Sequence, residues 1–125
     1  MPTEVIFVND VTYSLIKRSM DAASLRQKVI AQNIANINTR GYKRYDVVFE
    51  DMLKDEINKG SSNIENIEPQ VVRDESTSMR EDGNNVDIDF EMSNQAANNL
   101  FYSALVSQAN YKLGIMRSVI TEGRE

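Results

Sequence analysis

The sequence predicts an all-α protein in which two long terminal heptad helices form a coiled-coil-like core around an irregular or small β middle segment. Apolar residues recur at alternating spacings of four and three towards both ends of the 125-residue chain. Hydrophobic residues make up 41% but aromatic residues only 7%, with no Trp, which favours long helices over a compact globule. We therefore expect one small module with four segments, at residues 1–9, 10–38, 39–92 and 93–122.

The N-terminal helix is predicted over residues 10–38, after an N-terminal arm at residues 1–9. Asn9 or Asp10 is its expected N-cap, and Gly41 is the residue expected to stop it. Seven positions spaced 4, 3, 4, 3, 4 and 3 form a coiled-coil seam. They are Ile16, Met20, Ala23, Gln27, Ile30, Ile34 and Ile37.

The C-terminal helix is predicted over residues 93–122, with Ser93 as its N-cap and Gly123 just beyond its end. Its seam has spacings of 4, 3, 4, 3 and 4, and every member is apolar. The members are Tyr102, Val106, Ala109, Leu113, Met116 and Ile120. The two seams are long enough to pair with each other, and apolar residues beside them allow further neighbours.

The middle segment, residues 39–92, is acidic and rich in turn-forming residues. Residues 51–92 carry 4 Lys or Arg against 12 Asp or Glu. Residues 49–57 allow a short helical turn, and residues 71–72 and 86–90 allow short extended pieces with alternating polarity. We expect either a flexible loop or a small β excursion, ordered chiefly by partners.

Composition excludes several classes of function. The absence of Cys and His removes thiolate nucleophiles, the commonest general base and the commonest zinc ligand. A net charge of −5 argues against binding nucleic acid through its phosphates. No stretch reaches the roughly 18 apolar residues of a transmembrane segment, and the N-terminal residues do not resemble a cleaved signal peptide. We expect no enzymatic activity, no cofactor and no metal.

Three alternating acidic residues, Asp87, Asp89 and Glu91, invite a metal-binding or catalytic interpretation. The order of acids and Gly in a calcium loop is absent, and neither His nor Lys lies nearby as a catalytic partner. We interpret them as a solvated or partner-facing edge of an extended segment, or as negative charge near a helix N-terminus.

The end of the first helix is unusually rich in Asn. Asn33 and Asn36 lie on one helical face, where their amides either fix the register against neighbouring helices or mark a fraying end before Gly41. Tyr42 and Tyr45, which follow the glycine, are expected to anchor the turn against a helix.

This segment resembles the signature of bacterial flagellar rod and hook proteins, which reads approximately Ala-x-Asn-Ile-Ala-Asn, a spacer, Thr-Pro-Gly-Tyr-Lys and a later Phe. Arg40 departs from it, standing where Pro is usual. Residues 82–92 resemble the entry to the C-terminal helix in the proximal rod member of that family. The residues that match the signature are Ala31, Asn33, Ile34, Ala35, Asn36, Thr39, Gly41, Tyr42, Lys43 and Phe49.

The resemblance implies a structural subunit of the flagellar basal-body rod. The apolar members of the two terminal-helix seams, together with Asn33 and Asn36, are its expected subunit interfaces, and Thr39, Gly41, Tyr42 and Lys43 are its turn motif. The implied partners are other rod proteins, copies of this chain, the membrane-ring adaptor and the flagellar type III export apparatus. The implied location is the periplasmic rod, and Phe7 with Val11 fits a loose export pattern. The alternative is a non-enzymatic helical binding module such as an export chaperone or regulator.

Overall fold

The computed structural model describes residues 2–61 and 63–123, and the side chains of residues 11–61 and 63–123. It confirms an all-α fold with two long helices and a small sheet between them. The elements are α1 (Pro2–Ala35), β1 (Tyr45–Val48), α2 (Glu50–Asn58), a 3-10 turn (Asn63–Asn66), β2 (Gln70–Arg73) and α3 (Ile88–Glu122). None of the helices in the described ranges is long and apolar enough to cross a membrane.

The two long helices pack against each other in antiparallel directions. The side-chain amide of Asn98 on α3 donates a hydrogen bond of 2.8 Å to the carbonyl of Ala23 on α1. Close to the start of α3, Asn84 bonds the carbonyl of Ile37, just after the end of α1. Residue numbers therefore fall along α1 as they rise along α3.

Of the two alternatives for the middle segment, the structure has the small β excursion. Strands β1 and β2 are antiparallel, with Tyr45 opposite Arg73 and Val48 opposite Gln70. The extended piece predicted at residues 71–72 lies in β2, and the predicted helical turn is α2. This unit packs on α1 through a small core of Ala22, Phe49 and Ile67, with Met52 and Leu53 against it.

Helix α1 differs from its predicted limits at both ends. It begins at Pro2 instead of residue 10, so Asn9 or Asp10 is not its N-cap. Proline suits the first helical turn because the N–H that it lacks has no partner there. The helix ends at Ala35 because Asn36 and Ile37 tighten the last turn: the amide of Ile37 bonds the carbonyl of Ile34 at 3.2 Å.

Helix α3 begins at Ile88, earlier than the Ser93 expected from sequence. The Asp87 side chain caps it by accepting hydrogen bonds from the amides of Asp89 at 3.0 Å and Phe90 at 3.4 Å. The prediction of an extended piece at residues 86–90 is therefore wrong from Ile88 onward. Gly123 is the C-cap, as predicted.

Candidate interaction surface

The turn after α1 is fixed by Asn33, whose side chain is wholly buried. Its Nδ2 donates to the carbonyl of Tyr45 at 2.8 Å, and its Oδ1 accepts from the amide of Tyr45 at 2.9 Å and from the hydroxyl of Tyr42 at 3.1 Å. The side-chain amide of Asn33 thus bonds the backbone of β1 as a neighbouring strand would. Burial and the neighbouring Tyr45 and Glu91 raise the pKa of Tyr42. Tyr42 thus contacts α1 through its side-chain hydroxyl, as expected, whereas Tyr45 does so through its backbone.

The end of α1 is capped from a distant part of the sequence. Nδ2 of Asn84, a wholly buried residue, lies 2.9, 3.0 and 2.8 Å from the carbonyl oxygens of Asn36, Ile37 and Thr39. The amide of Gly41 donates to the carbonyl of Asp82 at 2.8 Å. The sequence alone shows Asn84 only as part of a matching segment, because its partners lie 45 or more positions away.

Glycine is required on both sides of this contact. Gly41 has a φ of +74° and Gly83 a φ of +79°, values that L side chains rarely adopt. A Cβ atom added to Gly83 would lie 3.8 Å from the Cα of Gly41. The turn after α1 and the loop before α3 therefore meet backbone to backbone, and Arg40, where proline is usual, lies exposed beside them.

A buried charge cluster joins the sheet to α3. Arg44 Nε donates to Glu91 Oε1 at 2.7 Å, and its Nη1 lies 3.2 Å from Asp74 and 3.5 Å from Asp46. Its guanidinium carbon lies 4.9 Å from the centroid of the Phe90 ring. Burial opposes the charged form, but the hydrogen bonds and charges of Glu91, Asp74 and Asp46 together outweigh it, so the pKa of Arg44 is raised.

Of the two interpretations of the three alternating acidic residues, the structure has negative charge at a helix N-terminus and not one edge of an extended segment. Asp87 caps α3, Asp89 is exposed in its first turn, and Glu91 is fully buried against Arg44. The helical rotation of 100° per residue separates side chains that an extended segment would align. In residues 2–61 and 63–123, no three acidic side chains are grouped to hold a metal ion.

Most of the predicted seam of α1 is covered within the single chain. Ala23, Ile30 and Asn33 are buried. The remaining predicted interface positions on or near this helix are half-buried. They are Ile16, Met20, Ile34, Asn36 and Ile37. Gln27, the polar member of the seam, is exposed. The middle segment and α3 therefore already occupy much of this face.

The predicted seam of α3 remains largely uncovered. Tyr102, Leu113, Met116 and Ile120 are 39, 42, 41 and 60% exposed, while Val106 and Ala109 are half-buried. The exposed apolar surface is also wider than one seam. It includes four large residues that the heptad pattern omitted, namely Leu100, Tyr111, Ile115 and Val119.

The remaining predicted residues lie in the turn and at the N-terminus. The Thr39 hydroxyl bonds Asn36 Oδ1 at 3.1 Å, and Lys43 Nζ donates to the carbonyl of Ser76 at 3.4 Å. Val11 is half-buried, whereas the side chain of Phe7 lies outside the described residues.

Comparison with known proteins points to one class. Residues 18–43, which include most of the Asn-rich end of α1 and its turn, match the family model described as "Flagella basal body rod protein". A partial relative is the flagellar basal-body rod protein FlgG of Buchnera aphidicola subsp. Baizongia pistaciae. It is 44% identical over 39 residues, covering 31% of this chain and 15% of its own.

Longer matches define the group within that class. The flagellar basal body rod protein FlgB of Bacillus subtilis is 35% identical over 127 residues, covering 90% of this chain and 95% of its own. FlgB of Borrelia hermsii is 36% identical over 113 residues, covering 75% of this chain and 84% of its own. The chain belongs to the FlgB family of flagellar basal-body rod proteins.

Proposed function

We propose that this chain is a non-enzymatic structural subunit of the proximal rod, assembling through its terminal helices into the axial drive shaft that transmits torque for motility. The observation that carries the proposal is the exposed apolar face of α3. Four of its large residues, Leu100, Tyr111, Val119 and Ile120, are 60 to 75% exposed. Many large apolar side chains exposed along one helix indicate a protein interface.

The shape of this surface suits a shaft better than a pocket. A long helix that presents apolar residues along its length can pack against several neighbouring helices, and each contact adds a small dispersion energy. Many such contacts along an axis resist twisting without any single strong bond. The polar stripe of the same helix, with Ser103, Ser107, Asn110 and Arg117, is left for solvent.

The proposed partners are copies of this chain and other rod proteins, the membrane-ring adaptor and the flagellar type III export apparatus. The names of the relatives support a place in the basal-body rod, and the partial likeness to FlgG supports contact with other rod subunits. The resemblance to exported rod proteins supports a position in the periplasm. The adaptor and the export apparatus are proposed as partners from that resemblance alone.

The test replaces Leu113 and Met116 together by Asp in cells that carry no other copy of the gene. An unpaired charge buried in an assembled interface is costly, whereas an unfolded chain in transit tolerates it. We expect secretion near the wild-type level, no rod and no motility, measured by fractionation blots and electron microscopy of purified basal bodies.

The matched control for that test is Ser107→Asp with Asn110→Asp, which adds the same charges at the same spacing on the polar stripe. We expect this variant to assemble rods. Intact rods that contain the Leu113 and Met116 variant would show that this apolar face is not an interface.

A second candidate is a helical binding module, because α1 and the middle segment already complete much of their packing within one chain. Such a module would use the face of α3 as a site for a partner helix. It would remain a folded monomer at high concentration and would be absent from purified rods. Gel filtration at high concentration, and immunodetection of the chain in isolated basal bodies, separate the two functions.

A further inference from the structure

The contact between α1 and α3 has an unusual composition on the α3 side. The only buried residues of α3 are Glu91 and Asn98, which lie one heptad apart. Asn98 bonds the carbonyl of Ala23, a small residue that is 1% exposed. Helix register is ordinarily specified by large apolar side chains that fit the facing helix. Here no large apolar side chain of α3 is fully buried, and only Leu105 and Val106 are half-buried, so such packing specifies its position weakly.

Both residues also leave an atom without a hydrogen bond. Oε2 of Glu91 and Oδ1 of Asn98 are buried and have no partner among the described residues. Buried polar atoms are satisfied in the great majority of cases, so each exception calls for a physical reason. An apolar residue at position 98 would avoid the cost. The best-attested reason for retaining a buried polar group in a helical seam is that it specifies the register.

We propose that Glu91 and Asn98 are positioning residues that fix the axial register and the rotation of α3 on α1, at some cost in stability. Glu91 ties the first turns of the helix to Arg44 in the sheet unit, and Asn98 ties the helix two turns later to α1 itself. Two ties on one face define both rotation and axial position. A fixed register also presents the apolar face of α3 to neighbouring subunits in a single orientation, and this consequence rests on the proposed function.

The other contacts near α3 do not supply the same constraint. Asn84 holds the chain at the end of α1, but it lies before the helix and leaves the rotation of α3 open. After Asn98, α3 has no buried residue. A displacement of one helical turn moves every later side chain by about 5.4 Å along the axis.

The absence of Cys permits a direct measurement of register. Lys28→Cys and Ser107→Cys place spin labels on exposed positions of α1 and α3, and pulsed electron paramagnetic resonance gives their distance distribution in the isolated full-length chain. We expect one narrow distance for the otherwise unchanged chain. With Asn98→Leu added, we expect an unchanged or higher melting temperature together with a second distance, displaced by about 5 Å.

The matched control is Asn99→Leu, the same substitution at the neighbouring exposed position, which should leave a single narrow distance. For the other tie, Arg44→Met combined with Glu91→Leu removes both charges of the buried pair, and the carboxylates of Asp74 and Asp46 that lose Arg44 are partly exposed to solvent. Adding that pair to Asn98→Leu should enlarge the displaced population.

A single unshifted distance with Asn98→Leu overturns the proposal, because register would then be set by the remaining packing. If the triple variant does not fold, the result with Asn98→Leu alone decides. The measurement needs no assembly. A failed register test therefore leaves the proposed function standing, and rods formed by the Leu113 and Met116 variant would leave the register result standing.

Discussion

Two regions of this molecule differ in how far a single chain completes their packing. We call residues 22–98 the head, because every residue that is buried among the described side chains lies there. We call residues 11–21 of α1 and 99–122 of α3 the arm, where no described side chain is buried and most of the exposed apolar surface of α3 lies. The head holds all of the packing that the chain fully buries within itself, although it too exposes seven large apolar side chains, whereas the arm buries no described side chain.

The head also depends on polar contacts as much as on apolar packing. Its buried residues include Asn33, Arg44, Asn84 and Glu91, and Phe49 is its largest fully buried apolar side chain. A small core gives limited hydrophobic stabilisation, so breaking one of these polar contacts should remove a large share of the stability. No described side chain of the arm is buried, so the same kinds of substitution should cost much less there.

The largest effect is expected for Arg44→Met in the head. This change leaves the fully buried carboxylate of Glu91 without its cation, and removing one partner of a buried ion pair costs about 3–5 kcal/mol. Urea unfolding followed by circular dichroism measures the loss. Arg73→Met is the control, because its ion pair with Glu75 is exposed on both sides and should contribute about 1 kcal/mol or less. Equal losses in the two variants would show that the cluster at Arg44 does not hold the head together.

The second largest loss of stability is expected at Asn33 and not at Asn36, although the sequence places both on one helical face. Asn33→Leu leaves the amide and carbonyl of Tyr45 without their partner and should cost about 2–3 kcal/mol in urea unfolding. Asn36→Leu removes two exposed hydrogen bonds, one to the carbonyl of Gln32 and one from the hydroxyl of Thr39, and should change stability by about 0.5 kcal/mol or less. A folded Asn36→Leu variant that is exported but forms no rods would instead support a register role between subunits.

This difference also shows what the sequence could predict. The existence of α1 and α3 follows from heptad spacing, a local pattern. The contacts that build the head join residues far apart in sequence: Arg44 and Glu91 are 47 positions apart, and Asn84 and Thr39 are 45 apart. Their pairing depends on how the chain folds back, which spacing does not encode. The start of α3 was missed because alternation at residues 86–90 fits a strand as well as the N-cap at Asp87.

A smaller effect in the head depends on pH. Hydrogen bonds from the backbone and side chain of Ser76, and then the guanidinium of Arg44, lower the pKa of Asp74 against the opposing effect of burial. A folded-state pKa below the ordinary value of 3.8 adds stability above that pH and loses it as the pH falls through the folded-state pKa. Asp74→Asn should therefore weaken the fall in unfolding free energy below about pH 4. An unchanged acid limb of the stability profile would contradict this assignment.

The smallest effect on the isolated chain is expected in the arm. Leu113→Asp and Met116→Asp lie on side chains that are 42 and 41% exposed, so each should change the free energy of unfolding by about 0.5 kcal/mol or less. The matched change in the head is Ile30→Asp, where the residue is 3% exposed and a buried, unpaired carboxylate should cost several kcal/mol. Thermal melting by circular dichroism compares them. If the arm variant melts as early as Ile30→Asp, the arm is part of the cooperative fold, and missing rods would reflect unfolding instead of a lost interface.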